Sequence, residues 1–135
     1  MPPRRRIPGA PSDWLRRAKS DLVLAKTPLP SGAFYEDLAF HAQQAAEKAV
    51  KAVHRAKGLE FRYTHDLGKL LAGLIKRGVP VPEHVQEAAE LTDFAWEARY
   101  PGLGEPLSEA GYRRAISIAE KVVDWAVSVV EGHST

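Results

Sequence analysis

The chain has no cysteine. Disulfides, thiolate chemistry and cysteine zinc sites are therefore excluded, and the absence suits a reducing, cytoplasmic setting. No apolar run approaches the ~18 residues needed to span a membrane. There is no glycine-rich phosphate loop and no nucleophile elbow. The five histidines, His41, His54, His65, His84 and His133, never fall at the i,i+4 spacing of a helical metal pair. Neither a metal nor a cofactor is expected from these patterns, and no residue stands out as catalytic.

What is present is ordinary for one folded domain. The 135 residues are 44% apolar and 27% charged, too apolar for a disordered chain. The net charge of +2 is unevenly spread, because Arg4, Arg5 and Arg6 lie together near the start; without these three the remainder carries −1. Residues 1–12 are rich in proline and arginine with no apolar stretch behind them, unlike a secretory signal. They are expected to form a disordered basic arm, followed by a helical domain over 13–131 and a short tail over 132–135.

Five segments carry helical periodicity and none reads as a strand. The first spans about Asp13 to Lys26, with Ser12 as N-cap and Pro28 and Pro30 behind it. Trp14, Leu15, Ala18, Leu22 and Ala25 form its apolar stripe. The second runs from about Ala33 to Lys57, opened by Ser31 and closed by Gly58. The third covers about Asp66 to Arg77, with Leu67, Leu70, Leu71 and Leu74 on one face. The fourth follows Pro82 and ends near Tyr100, where Pro101 and Gly102 stop it. The fifth begins at Ser108 and reaches about Glu131, with an apolar arc wide enough to be central to a bundle or to cover a partner. Short connections between such helices predict an all-α antiparallel bundle.

Three places carry polar residues with functional potential. On a wheel of ~100° per residue, the second helix separates an alanine-rich arc (Leu38, Ala42, Ala45, Ala46, Ala49, Val53) from a polar line. That line holds Asp37, His41, Gln44, Lys48, Lys51 and Arg55. It reads either as a solvated face with a weak Asp37–His41 pair or as a groove wall for an anionic ligand or partner. His41 sits at the border of the apolar arc, the place on this face for a half-buried imidazole. In the fourth helix Arg99 falls on the inward arc beside Thr92 and Ala95, with Tyr100 next to it. An unpaired guanidinium is costly to bury. It either satisfies the helix's own terminal carbonyls or lines a cleft and grips phosphate with its bidentate fork. At the start of the third helix, Arg62, Thr64 and His65 precede Asp66. They read either as helix initiation, with Thr64 as cap and Asp66 as first-turn acid, or as an anion site on free amides.

Four stretches together resemble the HEPN domain family: Trp14-Leu15-x-x-Ala18-x-x-Asp21-Leu22-x-x-Ala25; Phe40-His41-x-x-Gln44-Ala45-Ala46-Glu47-Lys48-Ala49-x-Lys51-Ala52; Thr64-His65-Asp66-Leu67; and Ala98-Arg99-Tyr100-Pro101-Gly102. The resemblance covers roughly residues 13–130. It implies a bundle of four longer helices plus one short helix, paired as a homodimer with a cleft at the interface. Small prokaryotic members are often encoded beside a minimal nucleotidyltransferase and form a complex with it. The family is linked to nucleotide binding, and one branch consists of ribonuclease toxins from toxin–antitoxin pairs. In that branch an arginine and a following histidine are separated by four to six residues. Here Arg99 is followed by Tyr100, Pro101, Gly102, Leu103, Gly104, Glu105 and Pro106, so the motif is not completed. A lone arginine stabilises phosphate charge but is a poor proton shuttle.

The expectation is thus a nucleotide-binding or partner module without catalysis of its own. Its ligand would be held by Arg99, Tyr100, His41, Gln44, Lys48 and His65, and RNA is a further candidate ligand. A ribonuclease with an unconventional site and a purely structural dimerisation domain are the alternatives.

Overall fold

The computed structural model describes residues 9–61, 63–92 and 106–132. Five helices lie wholly among them: α1 (Pro11–Ala25), α2 (Tyr35–Ala56), α3 (Leu67–Lys76), α4 (Glu83–Gln86) and α5 (Glu109–Val130). The fold is the expected all-α bundle, four longer helices and one short one, with no strand among the described residues. No helix among them is long and apolar enough to cross a membrane.

α2 is the central element and packs along both α1 and α5. Its alanines make this possible: Ala42, Ala45, Ala46 and Ala49 are all fully buried, so the neighbouring backbones come close. α1 contributes Leu15, Ala18 and Ala25, and α5 contributes Ala115, Ile118, Ala119, Val122, Val123 and Ala126. The wide arc of α5 is used against the same core, with Ile116, Trp125, Val129 and Val130 partly buried at its edges. The starts of α2 and α5 meet at one end of the bundle. There Leu107 N–H donates to Glu36 Oε2 at 3.0 Å and Tyr35 stacks on Tyr112 with ring centroids 5.1 Å apart. Tyr112 Oη donates to Ala25 O at 2.6 Å, which ties in the end of α1. Burial, with Tyr35 alongside, pushes the Tyr112 phenol up from its ordinary range.

Several helix boundaries differ from those expected. Ser12 does not cap α1; the N-cap is Ala10, and Pro11 occupies the first turn, where its missing N–H and fixed φ cost nothing. Ser31 does not cap α2. Ala33 N–H instead closes a turn onto Pro30 O at 3.0 Å, with Gly32 at φ 84°, so the helix waits until Tyr35. At α3 the cap is Asp66 rather than Thr64. Its side chain accepts from Lys69 N–H at 3.1 Å, while Thr64 Oγ1 accepts from Asp66 N–H. Ser108 does cap α5, accepting from Gly111 N–H at 3.0 Å.

The fourth segment is not one continuous helix. α4 is a single turn, residues 87–88 form a turn, and helix resumes over 89–92. The break has a visible cause. Ala88 N–H bonds Val85 O and Leu91 N–H bonds Ala88 O, both i to i−3. Val85, Ala88 and Leu91 are fully buried, and the tighter winding of three residues per turn keeps all three facing the core. The remainder of the expected helix, including Arg99 and Tyr100, lies outside the described residues.

Candidate functional site

The polar line of α2 is neither a simple solvated face nor a bare groove wall. It lies at the seams where α1 and the start of α3 cover α2, and carboxylates gather its members. On the α1 side the organiser is Asp21, whose side chain is 11% exposed. One oxygen, Oδ1, meets His41 Nδ1 at 3.2 Å, and the other, Oδ2, accepts from Lys48 Nζ. His41 and Lys48 are two turns apart on α2, so one carboxylate from a neighbouring helix bridges both. A carboxylate only accepts, so Nδ1 of His41 carries a proton and the Nε2 edge is turned away from Asp21. His41 remains 37% exposed and Lys48 27%, so both stay within reach of a ligand. Gln44, between them on the helix, donates to Gln43 Oε1 at 2.8 Å.

That bond leads into a second, deeper cluster. Gln43 is fully buried and donates from Nε2 to Glu47 Oε1 at 3.1 Å and to His65 O at 3.2 Å. Glu47, 4% exposed at its side chain, accepts from Lys51 Nζ at 2.9 Å and meets His65 Nδ1 through both oxygens at 3.1 and 3.2 Å. Lys51 is covered in turn by the rings of Trp14 and Phe61, whose centroids lie 5.6 and 5.3 Å from Nζ. The ammonium is desolvated on its aromatic side and neutralised on the other.

Of the residues singled out in the sequence, His41, Lys48 and Gln44 are thus close together, and His65 joins the same network through Glu47 and Gln43. Arg99 and Tyr100 lie outside the described residues. Two of the amides that an anion at the α3 start would use are already engaged, Lys69 N–H by Asp66 and Leu67 N–H by Thr92 Oγ1 at 3.0 Å. Asp21, Gln43 and Glu47 were missed as site residues. Glu47 had a signal, standing four residues from both Gln43 and Lys51 in an otherwise alanine-rich stretch. Among the described residues no group of three His, Cys, Asp or Glu is placed to hold a metal ion.

The family model of the HEPN domain matches residues 11–130. The chain belongs to the HEPN domain family. Two solved structures agree. TT1696 from Thermus thermophilus is 32% identical, with a TM-score of 0.76 over 88% of this chain and 97% of that one. ST0689, an archaeal HEPN homologue, is 29% identical, with a TM-score of 0.71 over 90% of this chain and 98% of that one. Comparison with curated proteins gives no match. The HEPN segments quoted from the sequence therefore have a structural meaning: Asp21 of the first segment holds His41 and Lys48 of the second, and Glu47 of the second holds His65 of the third.

A third imidazole of this HEPN domain, His54 near the end of α2, lies apart from these carboxylates. It is 2% exposed, and its Nδ1 bonds Val50 O at 2.9 Å. Burial holds its pKa below the ordinary 6.5, against the helping backbone bond and with Arg77, Lys51 and Arg55 adding repulsion. The unfolded chain, with the ordinary value, binds the proton first as pH falls. Stability from this group is therefore complete above about pH 6.5 and is lost below it, toward the lowered folded value. Urea midpoints at pH 7.5 and 5.5 should show a smaller acid loss in His54→Leu than in the native chain. An equal loss in both would mean that other groups set the dependence.

Proposed function

We propose that this HEPN protein is a nucleotide-binding and partner module, with the ligand's phosphate held at the α1–α2 seam. Lys48 and the Nε2 edge of His41 would face the phosphate, Gln44 would orient it, and Arg99 and Tyr100 would complete the wall. His65 would act at the edge of the same network. The observation that carries this reading is the Asp21 bridge, which fixes one imidazole and one ammonium side by side while leaving both partly exposed. The proposed partners are a second copy of the chain and a minimal nucleotidyltransferase. In support, Val23 and Leu24 on α1 stand 68% and 46% exposed, an apolar spot that a partner could cover.

Titration with a nucleoside triphosphate tests the site. Lys48→Met and Arg99→Ala should each weaken binding about tenfold, the value of one lost charge-assisted hydrogen bond, with unchanged helicity by circular dichroism. Native affinity in both variants would remove the proposal. Co-purification followed by mass spectrometry addresses the partners.

One observation favours a second reading, RNA cleavage. A carboxylate-oriented imidazole is an acid–base group, and the Asp21–His41 pair supplies what the residues after Arg99 lack. This reading requires that purified protein cleave RNA and that His41→Ala abolish it.

A further inference from the structure

Alongside α3, bordering its buried leucines at Leu70, lies an open pocket of about 570 Å³, in the size range of small-molecule sites. Its walls come from the end of α2, from Glu60, Phe61 and Thr64, and from α3, and they are separate from Asp21, His41 and Lys48. Phe61, Leu70 and Ala72 give it an apolar lining, while Lys69, Lys76 and Arg77 outweigh Glu60 around it.

Two features mark this pocket as more than a surface dent. The first is His54, almost completely buried yet part of the lining. Val50 O can only accept, so Nδ1 carries the hydrogen and the neutral ring presents a lone pair at Nε2. Among the described residues no donor is bonded to that nitrogen. The second is Gly73, in the middle of α3, at an ordinary negative φ. A helix-interior glycine is unfavourable relative to alanine, and nothing about the packing requires one here. A Cβ at this position would meet only His54 Nε2, at a comfortable 3.8 Å. What the missing methyl does is leave the edge of the imidazole at Nε2 uncovered on the side of Gly73.

We propose that this pocket binds a small organic phosphate with a flat apolar body, which donates a hydrogen bond to His54 Nε2 and places its phosphate at Lys76 and Arg77. Arg77 is held for this, because its Nη1 donates to Glu60 O at 2.7 Å while the rest of the guanidinium fork remains available. Phe61 is braced edge-on against both Trp14 and His54, at 5.6 and 5.7 Å between centroids, which gives the apolar body a fixed wall. The site is additional to the seam in the proposed function and does not depend on it.

Three probes separate its elements: 4-aminophenyl phosphate, phenyl phosphate and inorganic phosphate, titrated into the whole protein with amide and imidazole signals followed by NMR. The first should bind tightest, phenyl phosphate more weakly for want of a donor, and inorganic phosphate weakest. The shifts should map to His54 and residues 69–77. Gly73→Ala should fold at least as well as the native chain yet bind 4-aminophenyl phosphate about tenfold more weakly, since the methyl covers Nε2. Lys76→Gln should weaken all three probes, and Lys48→Met should leave this binding unchanged. Equal affinity for inorganic phosphate, native affinity in Gly73→Ala, or shifts confined to the α1–α2 seam would each overturn the proposal.

Discussion

Glu47→Leu is expected to cost about 3–5 kcal/mol of folding stability, the penalty for stranding one partner of a buried ion pair. For a chain of this size that is a fall in Tm of roughly 10–20 °C. Glu47 is the common acceptor for Gln43, Lys51 and His65, of which His65 is exposed to water and Lys51 is not. Lys51 suffers most, being 9% exposed and packed against two aromatic rings, with no route for its ammonium to water except by pulling away from them. The diagnostic comparison is the double variant Glu47→Leu with Lys51→Met. Taking both charges out leaves apolar groups beside Trp14 and Phe61, so a large part of the loss should return. Urea denaturation of the two variants checks this. A single-variant loss below about 1 kcal/mol, or no recovery in the double variant, would show that the pair is solvated in solution.

Lys51 also shows what periodicity in a sequence can and cannot deliver. The wheel places it correctly, in line with His41, Gln44 and Lys48, and places the alanines correctly on the other arc. It cannot say what covers a face. Trp14 from α1 and Phe61 from the connection before α3 lie over the end of that line, so its last lysine is buried while His41 stays half-exposed. Gln43 and Glu47 are half-hidden for the same reason: their spacing to each other and to Lys51 is legible within α2, but His65 joins them only when the chain returns ahead of α3. The caps failed differently. Ser12 and Ser31 have the right chemistry, but Pro11 and the Pro30–Ala33 turn decide where the helices start. The break after Gln86 was legible in principle, because Val85, Ala88 and Leu91 repeat at three and not at 3.6. Arg99, with Tyr100 beside it, is singled out by its place on the inward arc of the fourth segment and again by resemblance to the HEPN family, and both lie outside the described residues. The observed geometry supplies an independent partner set in Asp21, His41 and Lys48.

Leu74→Ala carries the second large effect, an expected loss of about 2–5 kcal/mol. α3 has only ten residues, too short to persist alone, so its existence depends on the face it buries. Leu67, Leu70, Leu71 and Leu74 are all at most 3% exposed, and Leu74 is completely enclosed. Asp66 and Thr92 bond the first turn, which leaves the last turn to be held by Leu74 and by Val79 N–H donating back to Leu74 O at 3.0 Å. A cavity there loosens the end that carries Lys76 and Arg77. Hydrogen exchange should therefore show faster opening of residues 70–77 in the variant, together with a lower urea midpoint. A cost below about 1 kcal/mol would mean that the neighbours collapse into the space. Because the same short helix buries leucines on one face and presents Gly73, Lys69 and Lys76 on the other, Leu74→Ala should lose stability and pocket binding together. Gly73→Ala acts on the pocket alone, so the two variants separate the folding role of α3 from its binding role.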